Sequence, residues 1–356
     1  MLEQFPMHQI INEEGEIVDS SSMGDITTDE IKSFYYKMLR ARMLDKKCVH
    51  LQRQGRIGTY VPYEGQEAAQ IGSSLALQEG DWMFPTYRDH AATLTFGHSM
   101  RNLLLNWRGR PEGNVAPEGV NIFPPGIPIA SQLLHATGAA WAEKKRGSDR
   151  ISLVYFGDGA TSEGDFHEAL NFGSVFNTPT VFFNQNNGYA ISVPMKRQMK
   201  TKTIAQKGLA YDIECLRIDG NDVLSVYFAT QSAVDRARDG KGPTLIEAVT
   251  WRYGAHTTAD DPSKYRDQKE TEARRETTDP LLRIERYLKT QEAWEEEWLT
   301  RIEEEITLEI ETALTEMESY PEPDLSQLFD YVYDTPTWTI QEQVNNHLAV
   351  QGRTTQ

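Results

Sequence analysis

Gly157-Asp158-Gly159 sets a carboxylate between two glycines, directly after the unbroken apolar run Ile151–Phe156 (ISLVYF). Glycine lets the backbone approach a ligand closely. A second apolar run, Thr180–Phe183 (TVFF), leads into Gln185-Asn186-Asn187-Gly188-Tyr189. If the two runs are neighbouring parallel strands, Asp158 and Asn187 emerge at one sheet edge and can share a hard cation through oxygen. Magnesium suits such a pair, because it uses few carboxylates, accepts amide and backbone oxygens, and commonly bridges protein to a diphosphate. A helix beginning just after Asp158 would aim its N-terminal amides at the same place and favour an anion there. A tight turn or an asparagine loop would explain either motif alone. The helix and buried strand between them favour a shared site.

Two further candidates lie elsewhere in the chain. Tyr87-Arg88 offers a guanidinium, whose forked donors match phosphate oxygens; the competing reading is an ion pair with Asp89 or Asp81. His256 sits in Arg252-Tyr253-Gly254-Ala255-His256-Thr257-Thr258-Ala259-Asp260-Asp261. A histidine in a loop is often merely solvated, but the small polar residues and paired acids suggest an ordered loop in which it donates a hydrogen bond or a proton near neutral pH. His135 reads as structural. Cys48 and Cys215 have neither the number nor the spacing for a disulfide framework or a cysteine zinc site.

These residues need a scaffold, and the hydrophobic pattern supplies one. Helical spacing from near Thr28, capped by Asp25 or Thr28, predicts a first helix. Further helices are expected at 65–77, 90–107, 131–145, 163–177 and 222–239. Strands are expected within 81–87 and at 151–156, 180–183, 215–218 and 244–250. Residues 108–128 are dense in Gly and Pro and read as a long loop without regular structure. Strands alternating with helices give an α/β fold, a doubly wound and mostly parallel sheet with ligands beyond the C-terminal strand ends. Past Arg266 the chain turns helical and charged. The expected division is an arm at 1–28, an α/β domain at 29–270 and a helical C-terminal region at 271–356.

With 356 residues and 39% hydrophobics, the chain can bury a substantial core. Its net charge of −17 disfavours a nucleic-acid partner. Residues 291–320 carry eleven acids and one arginine, while Trp298, Ile302, Ile306, Ile310 and Leu314 recur every four residues. That pattern predicts one buried face, with the glutamates in water. No apolar run approaches membrane-spanning length, and the N-terminus lacks a basic stretch followed by an apolar run. A cytoplasmic protein is expected.

The stretch from Gly157-Asp158-Gly159 to Asn186-Asn187 resembles the cofactor-binding motif of thiamine-diphosphate-dependent 2-oxo acid dehydrogenases, in the alpha subunit of their E1 component. Arg53–Arg56, Gly65-Gln66-Glu67-Ala68, Tyr87-Arg88, Asn121–Gln132, Asp219–Asp222 and Arg252–Arg266 resemble further family segments in order, over roughly residues 30–270. The resemblance implies that Asp158, Asn187 and the Tyr189 carbonyl hold Mg2+ on thiamine diphosphate. It places Tyr87, Arg88, Gly159 and Ala160 on the cofactor, with Ile127 and Ile129 supporting the aminopyrimidine. His256 matches a histidine near the diphosphate that helps acyl transfer. The family's activating glutamate comes from a beta subunit, and Glu64 and Glu67 belong to the alpha-type GQEA segment instead. An α2β2 assembly is therefore implied, acting on a 2-oxo acid and on the lipoyl domain of E2.

The substrate signals diverge. Asn121–Gln132 and the Gln185 before Asn-Asn look like pyruvate-specific bacterial subunits, whereas Asn186–Ser192 and Asp219–Val223 look closer to branched-chain ones. Pyruvate is favoured, ahead of branched-chain 2-oxo acids and acetoin. Thr257 stands where regulated animal enzymes carry a phosphorylated serine. A reading from another class is a non-catalytic scaffold subunit that binds a metal diphosphate and docks through the acidic helix.

Overall fold

A computed structural model describes residues 5–322, 329 and 332–354. One compact unit runs to Leu314, and a second begins at Thr315. The helices are α1 (Thr28–Arg53), α2 (Glu67–Leu75), α3 (His90–Thr95), α4 (Met100–Trp107), α5 (Ser131–Arg146), α6 (Gly164–Val175), α7 (Met195–Gln198), α8 (Ala205–Gly208), α9 (Val223–Arg238), α10 (Gln268–Thr278), α11 (Pro280–Thr290), α12 (Glu296–Glu318) and α13 (Trp338–Thr354). None among the described residues is long and apolar enough to cross a membrane.

Six strands form one sheet: β1 (Trp82–Phe84), β2 (Asn121–Ile122), β3 (Ser152–Gly157), β4 (Thr180–Asn186), β7 (Glu214–Asp219) and β8 (Thr244–Val249). A separate two-stranded hairpin pairs β5 (Tyr189–Ala190) with β6 (Val193–Pro194). The sheet order is β2-β1-β3-β4-β8-β7, and every neighbouring pair is parallel. Alternate residues feed two cores. Leu153, Tyr155, Val181, Phe183 and Ile246 face one layer with Val226 and Val234 of α9. Val154, Phe156, Phe182 and Leu245 face the other, with Leu133 of α5 and Leu170 of α6. Both faces are covered, so the central strands read as continuous apolar runs.

The structure departs from the sequence reading in four places. Thr27, rather than Asp25 or Thr28, caps α1, in a reciprocal box with Glu30. The expected single helix at 90–107 is two helices. Gly97 has φ +115°, outside any helical region, and Ser99 caps a fresh start at α4. The 108–128 segment is not free of regular structure: it holds a 3-10 turn at Pro111–Asn114 and the edge strand β2. Two residues between Gly119 and Pro124 suffice to pair Trp82 with Asn121 and Met83 with Ile122. In α12 the predicted stripe is buried at Ile302, Ile306, Ile310 and Leu314, while Trp298 is half-buried. Not all of its glutamates lie free in water, however. Glu305 accepts from Tyr36, and Glu309 and Glu311 pair with Arg40 and Lys47 of α1.

Candidate functional site

Strands β1, β3, β4 and β8 lie side by side and run in one direction. Their C-terminal ends therefore deliver Arg88, Asp158, Asn187 and the 252–256 loop to one edge. Gly157 pairs with Gln185, so Asp158 and Asn187 leave adjacent strands at nearly the same height. The chain leaves β1 for β2 and returns to β3 on the other side of β1, which makes this edge a switch point where such sheets bind ligands. A cavity of about 230 Å³ opens there. Tyr87, Arg88, Ile129, Asp158, Gly159, Ala160, Asn187, Tyr189 and His256 all line it. Ile127 does not. It is 71% exposed and borders an adjoining cavity that shares Thr86 and Tyr87.

Asp158 is 2% exposed. Burial pushes its carboxyl up from the ordinary range, against the opposing pull of the Gln198 amide, which donates at 2.9 Å. The Asn187 backbone and the charge of Arg252 pull the same way as Gln198. A buried carboxylate held only by neutral donors is suited to a cation. The Asn187 amide donates to Gln66 at 3.0 Å, and its oxygen accepts only the Tyr189 N–H at 3.3 Å. A Cβ at Gly159 would lie 2.8 Å from Ala190 Cβ, so the close approach of this turn to the hairpin requires glycine. Among the described residues no cluster of three or more His, Cys, Asp or Glu could hold a metal. A cation here would rest on one carboxylate and neutral oxygens, which leaves room for phosphate ligands and fits magnesium. A 3-10 turn spans Asp158–Ser162, and α6 begins at Gly164, in line with the helix expected at 163–177.

Arg88 forms neither of the ion pairs that competed for it, and Asp81 pairs with Arg238 instead. Its guanidinium donates to the Pro62 carbonyl, to His256 Nδ1 at 3.0 Å and to the His256 carbonyl at 3.0 Å. Arg252, to which the sequence reading assigns no role, is 1% exposed. It donates to His256 Nδ1 at 3.3 Å, to the Ile191 carbonyl and to Tyr265, and its Nε has no partner. Among the described residues neither arginine forms an ion pair. Burial and the charge of Arg252 push Arg88 down to about 10.

Guanidiniums only donate, so Nδ1 of His256 must accept, and the neutral ring carries its proton on Nε2. Burial, Arg88 and Arg252 push the imidazole down to about 4. With its ring neutral, His256 presents an Nε2 hydrogen-bond donor in the free protein. Arg266 clamps the carbonyls of Arg252, Tyr253 and Gly254 and fixes the loop. Glu64 and Glu67 do not line this cavity; they pair with Arg275 and Arg42 behind it. The sequence reading gives Gln66 and Gln198 no role at this site and uses Gln185 only as a substrate signal. Only the strand-end position of Gln185 and the place of Gln66 in GQEA could have flagged them.

A family model described as "Dehydrogenase E1 component" matches residues 35–326. The pyruvate dehydrogenase E1 component subunit alpha of Bacillus subtilis (strain 168) is 41% identical over 336 residues, covering 94% of this chain and 90% of that one. Its counterparts in Staphylococcus aureus (strain Mu50 / ATCC 700699) and Bacillus cereus are each 39% identical over 341 residues, 96% of this chain and 92% of theirs.

Proposed function

This chain belongs to the dehydrogenase E1 component family, and from that premise we propose that it is the alpha subunit of a pyruvate-decarboxylating E1 component that binds thiamine diphosphate with Mg2+. One observation carries the cofactor reading. Two buried guanidiniums without carboxylate partners face a buried carboxylate across one cavity. Such an arrangement is incomplete without a metal-bound anion.

In this reading Asp158, the Asn187 side-chain oxygen and the Tyr189 carbonyl hold the cation, while Arg88, Arg252 and Tyr87 receive the diphosphate. Thiamine diphosphate, when bound, supplies the nucleophilic carbon and the electron sink for loss of carbon dioxide. His256 keeps its proton on Nε2 and offers it as a hydrogen bond toward developing negative charge. Neutralisation of the two guanidiniums by an anion would raise its affinity for a proton and bring it closer to acid–base work.

Glu64 and Glu67 pair with Arg275 and Arg42, and membership of the family implies that the activating carboxylate comes from a beta subunit, in an α2β2 assembly. Residues 29–270 are the cofactor-binding part, with the arm before it and the helical region after it. A cytoplasmic complex passing its acyl group to the lipoyl domain of E2 completes the proposal.

The test is the Asp158→Ala variant assembled with the beta subunit and supplied with cofactor, magnesium and an artificial electron acceptor. Turnover of pyruvate should be lost while the subunits stay associated. Surviving decarboxylation would refute the cation assignment. A wild-type complex preferring 3-methyl-2-oxobutanoate or acetoin by kcat/KM would reassign the substrate.

A further inference from the structure

Along the cavity wall runs an unbroken chain of buried amides. Asn187 Nδ2 donates to Gln66 Oε1 at 3.0 Å, and Gln66 Nε2 donates to Gln185 Oε1 at 2.8 Å. Gln185 Nε2 donates in turn to Asp89 Oδ1. Gln70 Nε2 also donates to Gln185 Oε1, at 3.2 Å. Asn187 is 7% exposed, and Gln66, Gln70, Gln185 and Asp89 are each 3% or less. A flipped amide inside would therefore be an uncompensated loss.

The two ends of this chain are unequal. Asp89 as a carboxylate can only accept. Its other oxygen takes the Thr86 N–H at 2.6 Å and the Thr86 hydroxyl at 2.7 Å. Gln70 is locked as well, because its Oε1 accepts the Ala91 N–H at 3.0 Å. Backbone donors cannot turn round, so the polarity is set at the Asp89 end. It propagates through Gln185 and Gln66 to Asn187, whose own lock is the long contact from the Tyr189 N–H.

We propose that Asp89 is a positioning residue: through Gln185 and Gln66 it orients the Asn187 amide so that oxygen, and not nitrogen, faces the cation. This rests on the cation reading given above, and it assigns no new ligand. An amide nitrogen turned toward the metal would remove one of the oxygen ligands and present donor hydrogens to a cation.

The substitution Asp89→Asn keeps the shape and reverses the logic. The introduced amide must keep its oxygen on the Thr86 N–H, so it turns its NH2 toward Gln185. Gln185 then meets a donor where it had an acceptor. Successive flips relieve that clash, with Gln70 Nε2 left to the Arg88 carbonyl it already reaches at 3.1 Å, and they end with Asn187 nitrogen in the cavity. Adding Gln185→Glu restores an acceptor facing the introduced amide, Gln66 and Gln70, with the net charge unchanged.

The experiment measures Mn2+ binding by electron paramagnetic resonance, on the assembled complex with thiamine diphosphate present, beside circular-dichroism melts. Asp89→Asn should weaken Mn2+ binding at least tenfold, and the Asp89→Asn/Gln185→Glu pair should return it to within about threefold of wild type. Gln66→Met cuts the chain without burying a new polar atom. It should also weaken Mn2+ binding, which keeps a test available if Asp89→Asn fails to fold. Wild-type affinity in a folded Asp89→Asn or Gln66→Met complex overturns the proposal, as does a double variant no better than the single. Absence of saturable Mn2+ binding in the wild-type complex would instead overturn the cation reading, and the proposal with it.

Discussion

Four arginines are buried to matching degrees but sit in opposite electrostatic settings. Arg42 and Arg88 are 6% exposed, and Arg252 and Arg283 are 1% exposed. Behind the sheet edge, Arg42 pairs with Glu67 and, at 2.9 Å, with Asp279. Arg283 meets Asp219 at 2.7 Å and the Ile11 carbonyl at 3.1 Å, which ties the N-terminal arm to the β7 edge. Burial pulls both of these guanidiniums down, and their carboxylates outweigh it. At the cavity, Arg88 and Arg252 have only carbonyls, a hydroxyl and a shared imidazole. Burial without a counter-charge costs stability unless something else supplies the charge. One pair of arginines is neutralised within the fold, and the other is left, in the function proposed above, for a ligand to neutralise.

The most direct challenge to this contrast is to neutralise one arginine from each pair. Arg88→Met should raise the thiamine diphosphate concentration for half-maximal activity by about 100-fold or more, since a charged hydrogen bond contributes about 1.5–3 kcal/mol and two are at stake. Its melting temperature should not fall. Arg283→Met should do the reverse. It leaves Asp219 and Asp222 buried without their cation, a loss of about 3–5 kcal/mol in urea unfolding, with cofactor half-saturation unchanged within about twofold. If Arg88→Met destabilises as Arg283→Met does, the division into two kinds of arginine is wrong.

A smaller effect bears on the same division. Cofactor and Mg2+ at about 100 times the dissociation constant should stabilise the wild-type complex by about 2.7 kcal/mol. Arg252→Met should reduce that gain strongly and raise the stability of the cofactor-free form. Calorimetry with and without ligand checks both halves.

How much of this was legible in the sequence follows from what each residue answers to. Asp158 and Asn187 answer to strand ends, and apolar runs announce strands, so their meeting was readable. The parallel direction of the central strands followed from the same alternation, but their order did not, since β8 lies between β4 and β7. β2 was not readable, because a two-residue edge strand is made by its neighbour and not by its own composition. The break at Gly97 was hidden by helix-forming residues on either side. Arg252 was visible as a residue but not as unpaired, because pairing depends on which carboxylates the fold brings near. The amide chain from Asp89 to Asn187 joins residues from three separate segments, and glutamines in such positions look like ordinary polar residues.

The least of the expected effects concerns His256, and it tests whether the unpaired arginines really face the ring. Burial, Arg88 and Arg252 push the folded imidazole down to about 4 from the ordinary value of 6.5. Between those values the unfolded chain binds more protons, so this group lowers stability as pH falls through that window. His90, pushed down to about 3, and His98 act in the same direction. Asp45 and Asp222, whose burial pushes them up to about 7 and about 6, act in the opposite one. The wild-type melt therefore mixes signs, and only a difference between proteins isolates His256. His256→Asn should flatten the loss of stability between pH 6.5 and 4 without altering stability at pH 8. An NMR titration of the His256 ring should move upward when inorganic diphosphate is added, because the anion offsets the two guanidiniums that hold the ring neutral. A ring that already titrates near 6.5 in the free protein would mean that Arg88 and Arg252 turn elsewhere, and the contrast between the two pairs would lose its clearest reporter.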